Sequence, residues 1–219
     1  KSLLFSILIV FILLSVTTIS KSVGIIVYSN QDKSLQFSGK QAYRFVVEQV
    51  NMGPRIPGSQ AHADIIRWIN TGLNWTGWRV LQQEGTIQGH SISNIIGKNS
   101  NDPPEIILAA HYDSRIVSDQ DKIALNRAEP VPGANDGASG VAVLLELSRI
   151  LQNNEHSIWL VFLDAEDNGN TIGWEWLLGS KYFVSKLESK PKAVIILDMV
   201  GDKDLDIYAE MNSNKELTE

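Results

Sequence analysis

Apolar residues recur along the chain in two rhythms, and the alternation between them predicts the architecture. Over residues 39–50, Tyr43, Val46, Val47 and Val50 fall at helical spacing, which predicts a helix with those four side chains on one face. The stretch Gly53-Pro54-Arg55-Ile56-Pro57-Gly58 breaks it. Ser59 then reads as the N-cap of a second helix reaching about residue 74, with Ile65, Ile66, Trp68, Ile69 and Leu73 turned inward. Residues 78–83 alternate as an edge strand does, and residues 91–97 read as a strand leading towards the core. Residues 105–110 and 158–163 are short continuous apolar runs, the pattern of strands covered on both faces by helices. Between them, residues 137–151 form a strongly helical stretch packed through Val141, Leu144, Leu145, Leu147, Ile150 and Leu151. A further helix over 181–187, a third buried strand over 193–197 and another strand over 205–209 complete the pattern. Strands alternating with helices predict an α/β fold, a three-layer sandwich around a mixed, mostly parallel central sheet.

The chain has 219 residues, a formal net charge of -6 and no cysteine. The acidic balance argues against a nucleic-acid partner, which needs a basic face. Without cysteine there is no disulfide, no thiolate metal site and no thiol nucleophile, so any metal must be held by His and carboxylates. Residues 3–16 form an apolar run behind Lys1, shorter than the ~20 residues a spanning helix needs and suited to a signal-peptide core. Residues 1–20 are therefore read as a signal peptide or an uncleaved N-terminal membrane anchor, 21–36 as a linker, and 37–219 as the catalytic domain. An extracytoplasmic location follows, secreted or membrane-anchored. The chain stops soon after a strand with no closing helix, and the C-terminal part reads as truncated.

The chemistry gathers where buried strands stop, which is where open α/β sheets place their ligand crevice. His111-Tyr112-Asp113-Ser114 ends the first apolar run. His111 and Asp113 are two apart on extended chain and leave on the same face, as a ligand and the carboxylate that orients it would. A hydrogen-bonded pair at a strand end is the alternative. Asp136 sits in a Gly-rich turn before a helix that opens with Gly137-Ala138-Ser139-Gly140, small residues that let the helix end press against a strand. It is either a turn residue or a carboxylate able to bridge two ions. Glu166 and Asp167 are adjacent past the second strand, so one can bind metal while the other meets a water; a solvated turn is the alternative. Asp198 ends the third apolar strand and, if buried, needs a cation or an ion pair with Lys192 or Lys203.

Taken together, His111-Tyr112-Asp113-Ser114, the segment from Pro132 to Gly140, Asp164-Ala165-Glu166-Asp167, Gly179-Ser180 and Leu197-Asp198-Met199-Val200-Gly201 resemble the co-catalytic zinc aminopeptidases of metallopeptidase family twenty-eight. That family also contains the animal-type glutaminyl cyclases. The resemblance runs from about Arg55 to Gly201 and implies a zinc-exopeptidase fold with one or two Zn(2+) ions. It implies that His111 and Asp198 hold one zinc, that Asp136 bridges to a second, and that Asp167 is a ligand of that second ion. It further implies that Glu166 is the general base and that Asp113 orients His111. The substrate so implied is a peptide with a free N-terminus. Asp167 stands where Glu is commoner in the family, and the family's last ligand, a downstream His, is not in this chain. His62, His90 and His156 are read as core or surface residues.

Within the resemblance, the long link Asn168-Gly169-Asn170-Thr171-Ile172-Gly173-Trp174-Glu175-Trp176 is similar to that of the cyclases, whereas simple aminopeptidases have a short one. Trp174 and Trp176 are candidates for substrate stacking, or for aromatic packing that clamps a lid. An aminopeptidase is the leading reading, a glutaminyl-peptide cyclotransferase the alternative, and a non-catalytic ectodomain of peptidase ancestry the third.

Overall fold

The computed structural model describes residues 36–205 and 213–218. Its elements, in order, are α1 (Gly39–Asn51), α2 (Gln60–Trp75), β1 (Arg79–Ile87), β2 (His90–Lys98), β3 (Ile106–His111), α3 (Ala138–Leu151), β4 (Ile158–Leu163), α4 (Leu178–Ser185) and β5 (Ala193–Ile196). A 3-10 turn at Ala124–Ala128 and a short helix at Lys215–Thr218 add to these.

The five strands form one mixed sheet in the order β1-β2-β4-β3-β5. β1 and β2 form an antiparallel hairpin, and β2 runs antiparallel to β4. β4, β3 and β5 run parallel, so their carboxyl ends share one rim. The pleat divides the core in two. On one face Leu108, Ala110, Leu160 and Phe162 pack under Ile65, Ile69 and Leu73 of α2 and Val141, Leu144 and Leu145 of α3. On the other, Ile107, Ala109, Val161 and Leu163 meet Phe183 of α4. Helices therefore cover both faces of the sheet. Leu160 and Phe162 are fully excluded from water, each contributing about 1.5–3 kcal/mol through burial.

The helices begin where polar side chains can take up free N–H groups. Ser38 accepts from Gln41 at the start of α1, and Ser59 accepts from His62 at the start of α2. The apolar face read for α1 is not the one it buries. Ala42 and Gln49 are its buried residues, while Tyr43 and Val47 are exposed. The helix packs on α3, and Gln49 Nε2 reaches the backbone carbonyl of Ala138 at 3.0 Å. That polar anchor fixes which face turns inward, and hydrophobicity counted alone does not see it.

β5 also departs from expectation. Val194, Ile195 and Ile196 are exposed rather than buried, because β5 pairs with β3 on one side and forms the edge of the described sheet. α4 begins at Leu178, three residues earlier than the apolar spacing suggested. Of the strand expected over 205–209, residues 206–209 lie outside the described residues, as does the apolar run over 3–16. Among the described residues no helix is long and apolar enough to cross a membrane.

Candidate metal centre

Four chain segments deliver carboxylates to the rim where β3, β4 and β5 end, and His111 closes β3 at the same place. The segment after β3 is fixed by Tyr112, whose N–H donates to the Leu163 carbonyl at 3.0 Å. The segment before α3 is pressed inward: a Cβ at Gly137 (φ +86°) would lie 2.9 Å from the Asp113 carbonyl, and one at Gly140 would overlap the Leu197 carbonyl. The segment after β5 is stitched to it, since Ser139 Oγ accepts from the Val200 N–H at 3.0 Å and Asn135 Oδ1 from the Gly201 N–H at 2.8 Å. Ala165 (φ +53°) and Met199 (φ +49°) take left-handed backbone beside Glu166 and Asp198. Such conformations are costly for a residue with a Cβ and concentrate where the chain must aim a functional side chain.

The result is a compact donor set. His111 Nε2 lies 2.8 Å from Asp136 Oδ1 and 3.7 Å from Asp198 Oδ1. One ligand atom from each of the three lies within 4.8 Å of the others. Behind the ring, His111 Nδ1 faces Asp113 Oδ1 at 3.2 Å. Asp113 is fully buried and also accepts from the N–H groups of Glu166 and Asp167 and from Asn168 Nδ2. It therefore ties the β3 end to the β4 end while turning Nε2 towards the carboxylates. Asp198 is not the buried acid its strand suggested: its side chain is 59% exposed. Neither proposed lysine takes it, since Lys192 pairs with Glu105 and Lys203 lies beside Asp204.

Protonation follows from this crowding. Burial pulls the His111 imidazolium down, but its bonds to Asp113, Asp136 and Asp198 outweigh this and carry it well above its usual value. Asp113 is held low despite complete burial, chiefly by His111. His111 also holds Asp198 low. Burial pushes Glu166 up to about 7, against the two bonds it accepts from Ser180. Asp167 is likewise pushed up to about 7, by burial and then by the charge of Asp136.

Glu166 is 7% exposed and fastened at the start of α4: Oε1 accepts the Ser180 N–H at 2.6 Å and Oε2 accepts Ser180 Oγ at 2.5 Å. Gly179 makes that approach possible, because a Cβ there would overlap the Asp164 carbonyl. Asp167 stands outside the three-residue donor group, yet it lines with Asp136 and Trp176 a cleft of about 580 Å³. Trp176 is 40% exposed, packed over Gly169 with the Arg115 guanidinium 5.0 Å from its ring. Trp174 is placed elsewhere. It stacks on His90 at 3.7 Å and packs with Ile92, Ala165 and Leu178.

The remaining histidines have other partners. His62 Nε2 pairs with buried Asp164 at 2.7 Å, His90 Nε2 with the Gly173 carbonyl at 2.7 Å, and His156 faces Glu105 at the opposite end of β4. Sequence reasoning gave no individual role to Ser180, Asn135, Ser139 or Arg115. Ser180 and the Asn135–Ser139 pair lie inside the motif segments; for Arg115 the only signal was its place directly after His111-Tyr112-Asp113-Ser114. An imidazole with two part-exposed carboxylates and no thiolate suits a borderline-to-hard divalent ion such as zinc. The fit is closed by Asp113, which occupies Nδ1 and leaves Nε2 for the ion.

A model of peptidase family M28 matches residues 92–218. An aminopeptidase of Bacillus subtilis is 28% identical over 198 residues, covering 81% of this chain and 38% of that protein. A crystallised glutaminyl cyclase of Bacteroides thetaiotaomicron, bound to N-acetylhistamine, superposes with a TM-score of 0.70 at 35% identity, covering 77% of this chain and 64% of its own. A zinc-dependent exopeptidase of Parabacteroides distasonis superposes with a TM-score of 0.72 at 33% identity, covering 77% of this chain and 63% of its own. The chain thus spans under two fifths of the curated aminopeptidase and just under two thirds of each crystallised protein.

Proposed function

Because this chain belongs to peptidase family M28, we propose that it is a zinc-dependent aminopeptidase releasing N-terminal residues from peptides. The observation that carries this reading is the convergence of His111, Asp136 and Asp198 on one point, with Glu166 anchored beside them. His111 and Asp198 would hold one zinc, Asp136 would bridge, and Asp167 would serve a second ion across the cleft. When bound, zinc lowers the pKa of a water towards neutrality and polarises the scissile carbonyl.

The chain's own residues supply the rest. Glu166, whose proton affinity near 7 suits both acceptance and return, takes a proton from the attacking water and delivers it to the leaving amine. Ser180 holds that carboxylate through one lone pair on each oxygen and leaves the others free to face the substrate. With the ion bound, Asp113 would take the Nδ1–H of His111 and leave Nε2 unprotonated for the metal. The carboxylates of Asp136 and Asp167 on the cleft wall attract the substrate's α-ammonium group.

A glutaminyl-peptide cyclotransferase is the second reading, favoured by the long link from Asn168 to Trp176 that brings Trp176 onto the cleft. In that case Glu166 moves a proton between the attacking α-amine and the departing ammonia. The catalytic domain is proposed to work outside the cytoplasm, secreted or anchored through residues 1–20; the apolar run behind Lys1 supports this.

The deciding experiment incubates zinc-loaded protein with an aminoacyl-anilide and with a glutaminyl-anilide, using Glu166→Gln as control. Free amino acid supports the peptidase, and ammonia with a cyclised product supports the cyclase. Neither product, together with a Glu166→Gln variant indistinguishable from the parent, would sink both.

A further inference from the structure

The fully buried side chains are headed by a cation that the mechanism above does not use. Arg55 is 0% exposed and sits in the loop between α1 and α2. Its guanidinium is spent on backbone carbonyls: Nε donates to Tyr112 O at 3.0 Å, Nη1 to Pro132 O at 3.0 Å and Nη2 to Gly133 O at 2.6 Å. Its main chain is equally committed, because its N–H donates to Ser114 Oγ at 3.3 Å and its carbonyl accepts the Ser114 N–H at 3.1 Å.

Those acceptors belong to two segments only. Tyr112 lies between His111 and Asp113, and Pro132-Gly133 begins the turn that ends in Asp136. One planar, three-pronged group therefore rivets the segment carrying the imidazole to the segment carrying the bridging carboxylate. Gly133 is shaped to receive it: its φ is +66°, and a Cβ there would overlap Arg55 Nη2 and lie 2.5 Å from Ser114 Oγ. The guanidinium is also a buried positive charge within electrostatic reach of Asp113 and Asp136. A cation held in so dry a place is costly unless its bonds and neighbouring charges repay it.

We propose that Arg55 is a positioning residue of the metal centre: from behind, through the carbonyls of Tyr112, Pro132 and Gly133, it sets the spacing between His111 and Asp136 and so the affinity for zinc. The proposal rests on the metal reading above but not on which reaction the site performs. Lysine in its place keeps the charge but cannot span three acceptors in one plane.

The test measures zinc affinity by competition with a chromophoric chelator, the visible spectrum of the cobalt(II)-substituted protein, and the metal-free unfolding temperature. It compares the parent chain, Arg55→Lys and Ser114→Ala. Arg55→Lys is expected to bind zinc 10- to 100-fold more weakly, the usual cost of losing a group that orients a ligand. Its cobalt bands should shift, and its metal-free unfolding temperature should fall as well, because lysine leaves buried carbonyls short of donors; affinities are therefore compared at a temperature where every variant is folded. Ser114→Ala, which keeps the cation and loosens its anchor, should weaken binding in the same direction. A folded Arg55→Lys with zinc affinity within threefold of the parent and an unchanged cobalt spectrum overturns the proposal. Where Arg55→Lys does not fold, the same criterion applied to Ser114→Ala decides. Failure of the parent chain to take up zinc removes the metal reading itself, a result distinguishable from failure of Arg55 alone.

Discussion

Glu166 and Ser180 are bound twice: the serine N–H and hydroxyl each donate to one oxygen of the glutamate, at 2.6 and 2.5 Å. The glutamate comes from the β4 end and the serine from the first turn of α4, so a single residue fixes the direction of the carboxylate and tempers the proton affinity that burial gives it. Both bonds lower a value that burial raises to about 7. Removing the hydroxyl in Ser180→Ala should move the acid limb of the kcat/KM profile to higher pH, with activity surviving above it. An acid limb that stays put would assign it to another group.

Glu166→Gln tests the proposed proton carrier itself. The amide keeps the shape and cannot accept the proton, so kcat should fall by about 10²–10⁴, the usual contribution of a general base. Zinc affinity should be retained, because Glu166 lies outside the donor group formed by His111, Asp136 and Asp198. A variant that loses zinc and activity together would place Glu166 among the ligands.

Without metal, the site should make the fold less stable as pH rises. Glu166 and Asp167 are both raised to about 7, so the folded state holds their protons more tightly than the unfolded chain. Their contribution is complete below the ordinary carboxylate values near 4.5 and 3.8 and is lost as pH climbs to about 7. His111, raised well above 6.5, acts in the same direction at higher pH. Asp113 and Asp198 are depressed, so their contribution is lost only as pH falls below about 3.8, outside this window. Glu166 alone accounts for roughly 3 kcal/mol at most. Thermal unfolding in chelator from pH 5 to 8 should show a falling Tm. Added zinc should reverse the slope, since it binds the deprotonated donors; at 100 times its Kd it stabilises by about 2.7 kcal/mol.

The sequence carried the sheet and the rim more fully than the way they are held. The runs ending at His111 and Leu163 announced strands buried on both faces, and the small residues Gly137 to Gly140 announced a helix end pressed against its neighbours; both are in place. Periodicity erred where a polar contact or a missing neighbour outweighed hydrophobicity, as with Gln49 turning α1 and the one-sided pairing that exposes β5. His111 could be read as a ligand because imidazole is rare and sat at a strand end. Arg55 and Ser180 could not, because each works through backbone carbonyls or one distant carboxylate, which leave no spacing in the sequence; Arg115 has a carboxylate partner four residues on, Asp119, but its contacts with the Asp167 and Gly169 carbonyls leave no such trace.

The two tryptophans of the long link should separate in kinetics, because the structure gives them different neighbours. Trp176 borders the cleft with Asp136 and Asp167, over Gly169 and beside Arg115. Trp174 faces away, its ring on His90 among the apolar residues beneath α4. Trp176→Ala removes a wall of that cleft and, on the proposed reading, should raise KM about tenfold, with zinc affinity and Tm close to the parent. Truncating a packed aromatic costs ~3–5 kcal/mol when it is fully buried. Trp174 is only partly buried, so Trp174→Ala should cost less than that but should appear first in Tm, with KM following only where the link loosens. Measuring KM and Tm for both variants on one substrate distinguishes the roles. The same large rise in KM from Trp174→Ala, with Tm unchanged, would mean that its ring leaves His90 to meet the substrate.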